Sequence, residues 1–505
     1  MKSTARLIPF ILFACSAARV TATELFRFHH ENILGTSLDL EIAAESSPQA
    51  STVETATLAE IERLRKILSG YDATSELGQL NSATTPIPCS TELLDVLGAY
   101  ENWQKRSSGA YSGHVGELTQ LWAKAEKSGV IPTTSALAPV LTALAADGWR
   151  PDLTNHTVTR LSPPQSLNLN SLGKGYIVTK ASIAARKAAP GVTGMLVNIG
   201  GDIFASGNPS AETPWEIRVA DPKHSEDNAP PLTKVRLVDQ AVSTSAAYER
   251  GYTVAGKRYS HILDPRTGYP ANGAASATVV AKENATANAL ATTLCVLKPE
   301  EGLALVKSTP GAECLIVDAD GKQWRSDRFA ALEGTPAPRP IPPPITTIAA
   351  SAGSWPAGFQ VSIAIELILP ETTKKRPKRP FVAVWVEDTS GKRVRNITVW
   401  GDERKYLKEL RSWWAGVKEQ PDTIASVTRA TRSAGKYRIE WDGKDDQGQA
   451  LPIGTYTITL EAKREHGTYS ISHGPIECGK SPAKGTIPAG TEFGESPLNY
   501  GPPLP

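Results

Sequence analysis

The chain has 505 residues, of which 54 are basic, 52 are acidic and 40% are hydrophobic. This near balance of charge gives no broad positive field, so nucleic acid is not indicated as a partner. The length predicts two to three domains, and the hydrophobic content is sufficient for packed cores. The five cysteines lack the CxxC or Cys/His spacing of a zinc site, although one disulfide would suit an oxidising compartment.

The first 22 residues have the pattern of an export signal. Two basic residues precede an apolar run over 7–14, which is far shorter than the ~20 residues needed to span a bilayer. Residues 12–15 also resemble a bacterial lipobox, whose cysteine, Cys15, would be lipidated; an ordinary cleaved signal is the alternative. We therefore predict export to the bacterial periplasm, as a soluble protein or one attached to a membrane through Cys15.

Hydrophobic periodicity predicts both strands and helices in the first two thirds of the chain. Alternation over 37–42 and the buried-type run 195–199 favour strands, whereas apolar stripes predict helices over 55–68 and 93–105. A further segment, 285–297, has helical composition and places Asn288 and Thr292 one turn apart on one face. This mixture predicts an α+β protein.

A β-hairpin is predicted over residues 252–262, with its turn at Ala255-Gly256-Lys257. It would deliver His261 to its end. The run Asp264-Pro265-Arg266-Thr267-Gly268 then forces a turn, because proline fixes φ and glycine can adopt positive φ. An imidazole, a carboxylate and a guanidinium would therefore lie close together.

Two glycine-containing stretches could approach a ligand closely. The chain is predicted to pass from a strand into a helix through Gly173-Lys174-Gly175, where backbone N–H groups, the helix dipole and the lysine suit a pyrophosphate. Alone, this motif is more often only a turn. The strand over 195–199 continues through Gly200 and Gly201, which predicts a bulge or a close approach of backbone to ligand, and Asp202 is interpreted as a hydrogen-bonding anchor.

Several motifs in a fixed order resemble the FAD:protein FMN transferase (ApbE) family over roughly residues 34–331. They are T-S-x-x-Y from Thr244, Y-S-H-I-x-D-P-R-T-G from Tyr259, A-x-A-L-A-T-x-L from Ala287 and N-x-G-G-D-I from Asn198. The resemblance implies a T-fold-related α/β domain that cleaves FAD with Mg²⁺, attaches FMN to a Thr or Ser of an acceptor flavoprotein and releases AMP. The family's S/T-G-A-S/T target motif is absent from this sequence, which argues against self-modification.

The resemblance also implies roles for individual residues. His261 would accept the proton of the acceptor hydroxyl, and Asp264 would orient it. Mg²⁺ would face the carbonyl of Ser171 and the side chains of Asn288 and Thr292. The residues that would contact FAD are Leu34, Tyr71, Ala110, Tyr111, Ser112, Asn168, Lys174, Thr244, Ser245 and Ile262.

Three positions depart from the family pattern, because Ser112, Asn168 and Asn288 stand where the family has aspartate. A neutral asparagine can ligate Mg²⁺ but binds it less tightly than a carboxylate does. The alternative hypothesis is therefore a flavin-binding or scaffold protein with weakened or lost transferase activity. A histidine that caps a turn and a tyrosine at a domain edge are the structural alternatives for His261 and Tyr71.

The carboxyl-terminal third has a different composition. A Pro-rich linker is predicted over 334–358, and it would end a transferase-like domain over 23–333. Alternating strands over 359–478 predict a small all-β, Ig-like sandwich that resembles the DUF2271 family of periplasmic proteins. Residues 479–505 are rich in Pro and Gly, and we predict a poorly ordered tail there.

Overall fold

The computed structural model describes residues 23–161, 167–210, 213–223, 231–247, 250–334, 353–368, 379–401, 404–420, 423–424, 427–429, 431–432, 434–465 and 467–503. The predicted signal over 1–22, including Cys15, and most of the predicted linker lie outside these residues. Within the described part of the chain, no helix combines the length and the apolar character needed to cross a membrane.

The amino-terminal region mixes strands and helices, as predicted. Its strands are β1 (Glu24–Ile33), β2 (Thr36–Ala44), β3 (Ile87–Pro88), β4 (Trp149–Asp152), β5 (Thr157–Arg160), β6 (Gly194–Ile199), β7 (Asp202–Gly207), β8 (Trp215–Val219), β9 (Thr233–Leu237), β10 (Gln240–Ala246), β11 (Gly251–Val254), β12 (Lys257–Ser260), β13 (Ser276–Ala281), β14 (Glu313–Val317) and β15 (Gln323–Arg325). Its helices are α1 (Ser47–Leu68), α2 (Glu76–Ser82), α3 (Thr91–Arg106), α4 (Gly116–Ser128), α5 (Thr134–Leu144), α6 (Leu172–Ala188), α7 (Asn284–Val296), α8 (Pro299–Lys307) and α9 (Phe329–Leu332).

An eight-stranded antiparallel sheet organises this region, with strand order β1-β2-β6-β7-β10-β13-β14-β15. Helices α1, α6 and α7 cover one face through a cluster that includes Leu40, Leu64, Ile177 and Leu290. The hairpin β8–β9 and helix α9 cover the other face, where Phe329 is fully buried. Burial of apolar side chains on both faces is the main force that holds the helices to the sheet.

The strands and helices predicted from periodicity are confirmed, with ends that differ by a few residues. They lie in β2, β6, α1, α3 and α7, and the hairpin β11–β12 turns at Ala255 and Gly256, which both have positive φ. The largest difference is at the start of α1, where helix begins at Ser47 with Pro48 in its first turn. Proline is favoured at that position because its missing N–H would be unpaired there in any case.

Two predictions about the glycine stretches are wrong. The described residues that lead directly into α6, 167–171, are not in a strand, and Gly173, Lys174 and Gly175 lie in the first turn of the helix itself. A Cβ atom at Gly175 would lie 2.8 Å from the backbone of Asn284, so glycine is needed for close packing of α6 on α7. Gly200 and Gly201 form a two-residue hairpin turn between β6 and β7, with φ of 56° and 92°, and not a bulge.

The carboxyl-terminal region consists mostly of strands. They are β16 (Gln360–Leu367), β17 (Pro380–Glu387), β18 (Arg393–Trp400), β19 (Thr428–Arg429), β20 (Gly435–Trp441), β21 (Gly454–Arg464), β22 (Tyr469–Cys478), β23 (Ala483–Ile487) and β24 (Ser496–Gly501), with helices α10 (Arg404–Leu407) and α11 (Arg411–Val417). A four-stranded sheet, β20-β16-β24-β23, and a five-stranded sheet, β19-β18-β17-β21-β22, share one apolar core. This is the all-β arrangement expected from the alternating pattern.

The prediction of a poorly ordered tail over 479–505 is wrong. Strand β24 pairs with both β16 and β23, and Phe493 and Leu498 are fully buried. Glu492, also fully buried, forms an ion pair with Arg464 at 2.6 Å. The Pro- and Gly-rich composition concealed the spaced apolar residues that complete the four-stranded sheet.

The end of the predicted linker also differs from expectation. Trp355 packs edge-on against Trp441 and Tyr500, with ring centroids 5.0 Å and 4.9 Å away. Ser354 forms a β-bridge with Pro452. Trp355 therefore anchors this segment on the sandwich through a large apolar ring, whereas residues 353, 354, 357 and 358 remain exposed.

Candidate functional site

Ser171 lies immediately before α6 and is the centre of a group of side-chain oxygens. Its hydroxyl donates to Oδ1 of Asn288 at 2.5 Å and lies 3.3 Å from Oγ1 of Thr292. The Tyr111 hydroxyl donates to Ser171 Oγ at 3.1 Å, and Ser245 Oγ lies 3.3 Å from Oγ1 of Thr292. Five residues chosen from the sequence thus meet in one place, although they come from four separate parts of the chain.

The carbonyl and the hydroxyl of Ser171 have different partners. The backbone carbonyl, which was expected to face a metal ion, accepts hydrogen bonds from the amides of Lys174 and Gly175 at 3.1 Å and 3.5 Å. It therefore begins the hydrogen-bonding pattern of α6. The hydroxyl contacts Asn288 and Thr292 instead.

Asp202 adds a buried negative charge beside the oxygen group. It is 4% exposed; Oδ2 lies 2.6 Å from Nζ of Lys174, and Oδ1 accepts from Ser243 Oγ at 2.7 Å and from Asn288 Nδ2 at 2.8 Å. The interpretation of Asp202 as a hydrogen-bonding anchor agrees with these contacts. Its pairing with Asn288 could not be foreseen, because no local pattern links residues 86 positions apart.

Lys174, which is predicted to contact FAD, forms an ion pair with Asp202. Its ammonium group also lies 3.5 Å from the Gly200 carbonyl in the β6–β7 turn. An ammonium group has three donors. Lys174 can therefore hold Asp202 and donate to a phosphate oxygen at the same time.

The oxygen group has the donor chemistry of a hard-cation site but carries no charge of its own. Ser171, Asn288, Thr292 and Ser245 offer hydroxyl and amide oxygens, the ligand type that Mg²⁺ prefers. Among the described residues, no three His, Cys, Asp or Glu side chains gather as a metal-ligand group. The donor set therefore fits a hard cation by atom type, with weaker attraction than carboxylates would give.

His261 follows strand β12, at the end of the predicted hairpin. Its Nδ1 lies 3.0 Å from the carbonyl oxygen of Arg250. Because a carbonyl only accepts, Nδ1 must carry the proton, and Nε2 is the basic nitrogen. The pKa of His261 is lowered, mainly because the surrounding chain displaces water from the imidazole, and the charges of Arg250 and Arg258 lower it further. His261 remains exposed, and its hydrogen bond with the Arg250 carbonyl offsets part of this lowering. The direction of the shift still favours the neutral imidazole, which can accept a proton, at neutral pH.

Asp264 does not orient His261 as predicted. Its two carboxylate oxygens accept from Nε and the terminal nitrogen of Arg266 at 2.9 Å and 2.8 Å, and Oδ1 also accepts from the Arg266 amide. This pairing closes the turn that ends at Gly268, where φ is 77°. The carbonyl of Arg250 is the group that orients the imidazole.

Trp122 in α4 is a supporting residue that the sequence reading missed. Its indole nitrogen donates to the carbonyl of Gly268 at 2.8 Å, and its ring lies 5.2 Å from that of Tyr259 in β12. The side chain is fully buried in a cluster formed by α4, α5 and the hairpin. One indole therefore fixes both the strand that precedes His261 and the turn that follows it.

Tyr71 lies in the loop after α1 and is 88% exposed. Its hydroxyl accepts from the side-chain Nδ2 of Asn170 at 2.9 Å. The backbone N–H of Asn170 donates to Oδ1 of Asn168 at 3.2 Å. The exposed ring therefore lies beside the segment that leads into α6. It offers the flat surface that stacking of a planar ligand would require. Leu34, another predicted contact, occupies the β1–β2 turn with φ of 50°.

Most of the remaining predicted contacts are buried, whereas Thr244 is exposed. Ala110 and Tyr111 are 2% and 3% exposed, and the Tyr111 ring stacks on Tyr100 with centroids 5.2 Å apart. Burial raises the pKa of Tyr111 to about 12, so its hydroxyl remains a hydrogen-bond donor. The other three are Ser112, whose hydroxyl accepts from the His114 amide, Thr244, which bonds to Thr278, and the buried Ile262.

Comparisons with known proteins agree with this architecture. A model of the ApbE family matches residues 34–316, and a model described as "Predicted periplasmic protein (DUF2271)" matches residues 362–495. The FAD:protein FMN transferase of Treponema pallidum is 29% identical over 328 residues, which cover 60% of this chain and 88% of that protein. The Vibrio cholerae protein of the same name is 28% identical over 304 residues, covering 59% of this chain and 89% of that protein.

Solved structures show the same relationship. The ApbE protein of Thermotoga maritima superposes with a TM-score of 0.55 at 28% identity, covering 62% of this chain and 100% of that one. The apo flavinyl transferase ApbE of Pseudomonas stutzeri gives a TM-score of 0.54 at 25% identity, covering 63% and 99%. The amino-terminal region therefore has the fold of flavin transferases. Because the family model spans more than half of the chain, the chain belongs to the ApbE family.

Proposed function

We propose that this chain is an FAD:protein FMN transferase. The observation that carries the proposal is the combination, in an ApbE-family domain, of a neutral imidazole with a group of hard oxygen donors and a lysine at the start of α6. The similar proteins named FAD:protein FMN transferase support the same reaction.

In the proposed reaction, the hydroxyl of a Thr or Ser in an acceptor protein attacks the FMN phosphorus of FAD. Nε2 of His261 takes the hydroxyl proton as the new P–O bond forms, and the P–O bond to AMP breaks. Phosphoryl transfer depends mainly on positioning and on neutralising charge. A histidine with a lowered pKa suits the first role because it is unprotonated at neutral pH.

The start of α6 is proposed to hold the pyrophosphate. Lys174 retains donors beyond its pair with Asp202, and the helix amino terminus favours negative charge. Ser171, Asn288 and Thr292 would hold Mg²⁺ through their side-chain oxygens. When bound, the ion would neutralise charge on the pyrophosphate. Tyr71 is proposed to stack near the flavin nucleotide.

Incubation of the purified mature chain with FAD, Mg²⁺ and a protein carrying an S/T-G-A-S/T segment tests the proposal. We expect AMP release together with flavin fluorescence that stays on the acceptor after denaturing electrophoresis. Binding of FAD without AMP release would instead support the flavin-binding alternative. The loss of activity would then be attributed first to Asn288, which stands where the family has aspartate.

We further propose that the protein is exported and works in the periplasm. The description of its second family as periplasmic, together with the signal pattern over 1–22, supports this location. Fractionation of cells that express the full chain should recover it in the periplasmic fraction. Attachment through a lipidated Cys15 predicts a membrane-bound protein that becomes soluble in the Cys15→Ser variant; an unchanged distribution would favour the ordinary cleaved signal.

A further inference from the structure

A buried carboxylate and a buried amide lie side by side at the oxygen group. Nδ2 of Asn288 donates to Oδ1 of Asp202 at 2.8 Å. Asn288 is 8% exposed and Asp202 is 4% exposed. The other oxygen of the carboxylate holds Nζ of Lys174 at 2.6 Å. Together the three side chains carry one negative and one positive charge, and the amide is neutral.

This arrangement allows only one orientation of the Asn288 amide. A carboxylate can only accept hydrogen bonds, so the NH₂ group must face Asp202 and Oδ1 must face the Ser171 hydroxyl. The reverse orientation would place an amide oxygen against a carboxylate oxygen in a site shielded from water, where such a contact is strongly unfavourable. Asp202 therefore determines that position 288 presents an oxygen to the cation site.

We propose that Asp202 is the positioning residue of the cation site in this chain, and that it holds the negative charge that an aspartate at position 288 would bring directly to the ion. This inference rests on the proposed function for one point, that the cation is Mg²⁺. The contact between Asp202 and Asn288 does not depend on it. It explains how asparagine can replace aspartate at position 288 without loss of the ligand oxygen. It also implies that Mg²⁺ binds weakly to the free protein, since the carboxylate lies behind a neutral ligand and is balanced by Lys174.

A double-mutant cycle between positions 202 and 288 tests the pairing without any substrate. Asn288→Asp places two carboxylates in contact, whereas Asp202→Asn removes the carboxylate that holds Lys174 and Asn288. Both single variants should lower the Tm in the absence of metal. The double variant again has one carboxylate, one amide and one ammonium, with the hydrogen bond reversed. It should recover at least about half of the Tm lost by the worse single variant.

Calorimetric titration with Mg²⁺ alone provides the second readout. Asn288→Asp and the double variant both present a carboxylate oxygen beside Ser171, so both should bind Mg²⁺ at least about tenfold more tightly than the unmodified chain. Asp202→Asn should bind Mg²⁺ no better than the unmodified chain, because its amide at position 288 is free to turn its NH₂ group toward the site. Mg²⁺ should raise the Tm of the first two variants and not of the third.

Asn284→Asp is the matched control. Asn284 is fully buried in the same helix, with Oδ1 accepting from Ser243 and Nδ2 donating to the Ile203 carbonyl at 2.9 Å. The same change of chemistry there should lower the Tm without any recovery in Mg²⁺, because it adds no oxygen beside Ser171. An equal Mg²⁺ response in this control would overturn the proposal.

Additive losses of Tm in the double variant, or Mg²⁺ affinity in the double variant equal to that of the unmodified chain, would also overturn it. If a single variant fails to fold, a folded double variant itself demonstrates the coupling, since additive losses would leave it unfolded too. No measurement contains FAD or acceptor. If the protein shows this coupling but transfers no FMN, the positioning role of Asp202 is supported and the proposed function is contradicted.

Discussion

Buried carboxylates serve different purposes in the two regions of the molecule. In the sandwich, Glu461 is fully buried and accepts from the amides of Ser412 and Trp413 at 2.9 Å and 2.8 Å and from the Tyr469 hydroxyl at 2.8 Å. All of these partners fix the segment that carries α11 to the sheet. These contacts give the carboxylate a structural role.

In the amino-terminal region, the buried carboxylate of Asp202 is surrounded by side chains that retain further capacity to bind. Asn288 keeps its oxygen directed at Ser171, and Lys174 keeps donors beyond its ion pair. The comparison teaches that burial alone does not mark a functional carboxylate. The distinguishing feature is whether the groups that contact the carboxylate retain hydrogen-bond donors or acceptors for a ligand.

The largest expected effect distinguishes the histidines of the two regions. His261→Ala should lower the rate of FMN transfer by about 10²- to 10⁴-fold with little change in FAD affinity, because removal of a general base affects proton transfer and not binding. Single-turnover transfer and fluorescence titration of FAD measure the two quantities. His473→Ala, which removes a histidine bonded to Thr459 in the sandwich, is the control and should leave transfer unchanged. Transfer at the unmodified rate by His261→Ala would exclude His261 from the mechanism.

A buried pair in the sandwich should affect stability alone. Glu492→Gln leaves the buried guanidinium of Arg464 without its carboxylate, which typically costs about 3–5 kcal/mol of unfolding free energy. Guanidinium chloride unfolding measures the loss. Asp442→Asn, which breaks the half-exposed pair with Lys444, should cost less than about 1 kcal/mol. A loss of FMN transfer in folded Glu492→Gln would contradict the separation of roles.

The dependence of transfer on pH tests the charges around His261. Because the pKa of His261 is lowered, the neutral form persists below the ordinary value, and activity should fall only as the pH drops through that lowered pKa. Arg258→Gln removes a positive charge that disfavours the imidazolium, so the pKa should rise and the acid limb should move to higher pH. Lys436→Gln removes an exposed positive charge from strand β20 of the sandwich, and this control should leave the profile in place. An acid limb that does not move in Arg258→Gln would contradict the assignment.

The smallest expected effect concerns the boundary between the regions. A chain that ends at Gly334 should bind FAD as tightly as the full chain, because the predicted FAD contacts and the clusters that support them precede that residue. Fluorescence titration with FAD, after circular dichroism has established folding, makes the comparison. A folded truncation that fails to bind FAD would show that the sandwich contributes to the nucleotide site.

Three local features of the candidate site could be predicted from the sequence. The turn at Asp264, the hairpin before His261 and the one-turn spacing of Asn288 and Thr292 depend on residues that are near neighbours, so their geometry follows from φ preferences and helical periodicity. The Arg266 side chain shows the limit of such reasoning. Proximity in sequence predicted the cluster of charges, but only the structure shows that Arg266, and not His261, takes the carboxylate.

Contacts between distant segments could not be predicted in this way. The choice of the Ser171 hydroxyl over its carbonyl, and the pairing of Lys174 with Asp202, depend on how α6 packs beside the β6–β7 turn. The strands at 483–487 and 496–501 were missed for a related reason. Their buried side chains are separated by residues typical of loops, and the sheet that gives them partners begins more than a hundred residues earlier.

The close packing of α6 on α7 at Gly175 has a consequence for folding kinetics. Ser171 and Asn288 are 117 residues apart in sequence, and strands β6 to β13 lie between them. Closing so long a loop costs entropy that is recovered only when the intervening strands have paired. We therefore expect the oxygen group to assemble late, after the intervening strands have paired. A newly made chain would then complete this site only in the last steps of folding, and Gly175→Ala should slow those steps because the added Cβ would lie 2.8 Å from the backbone of Asn284.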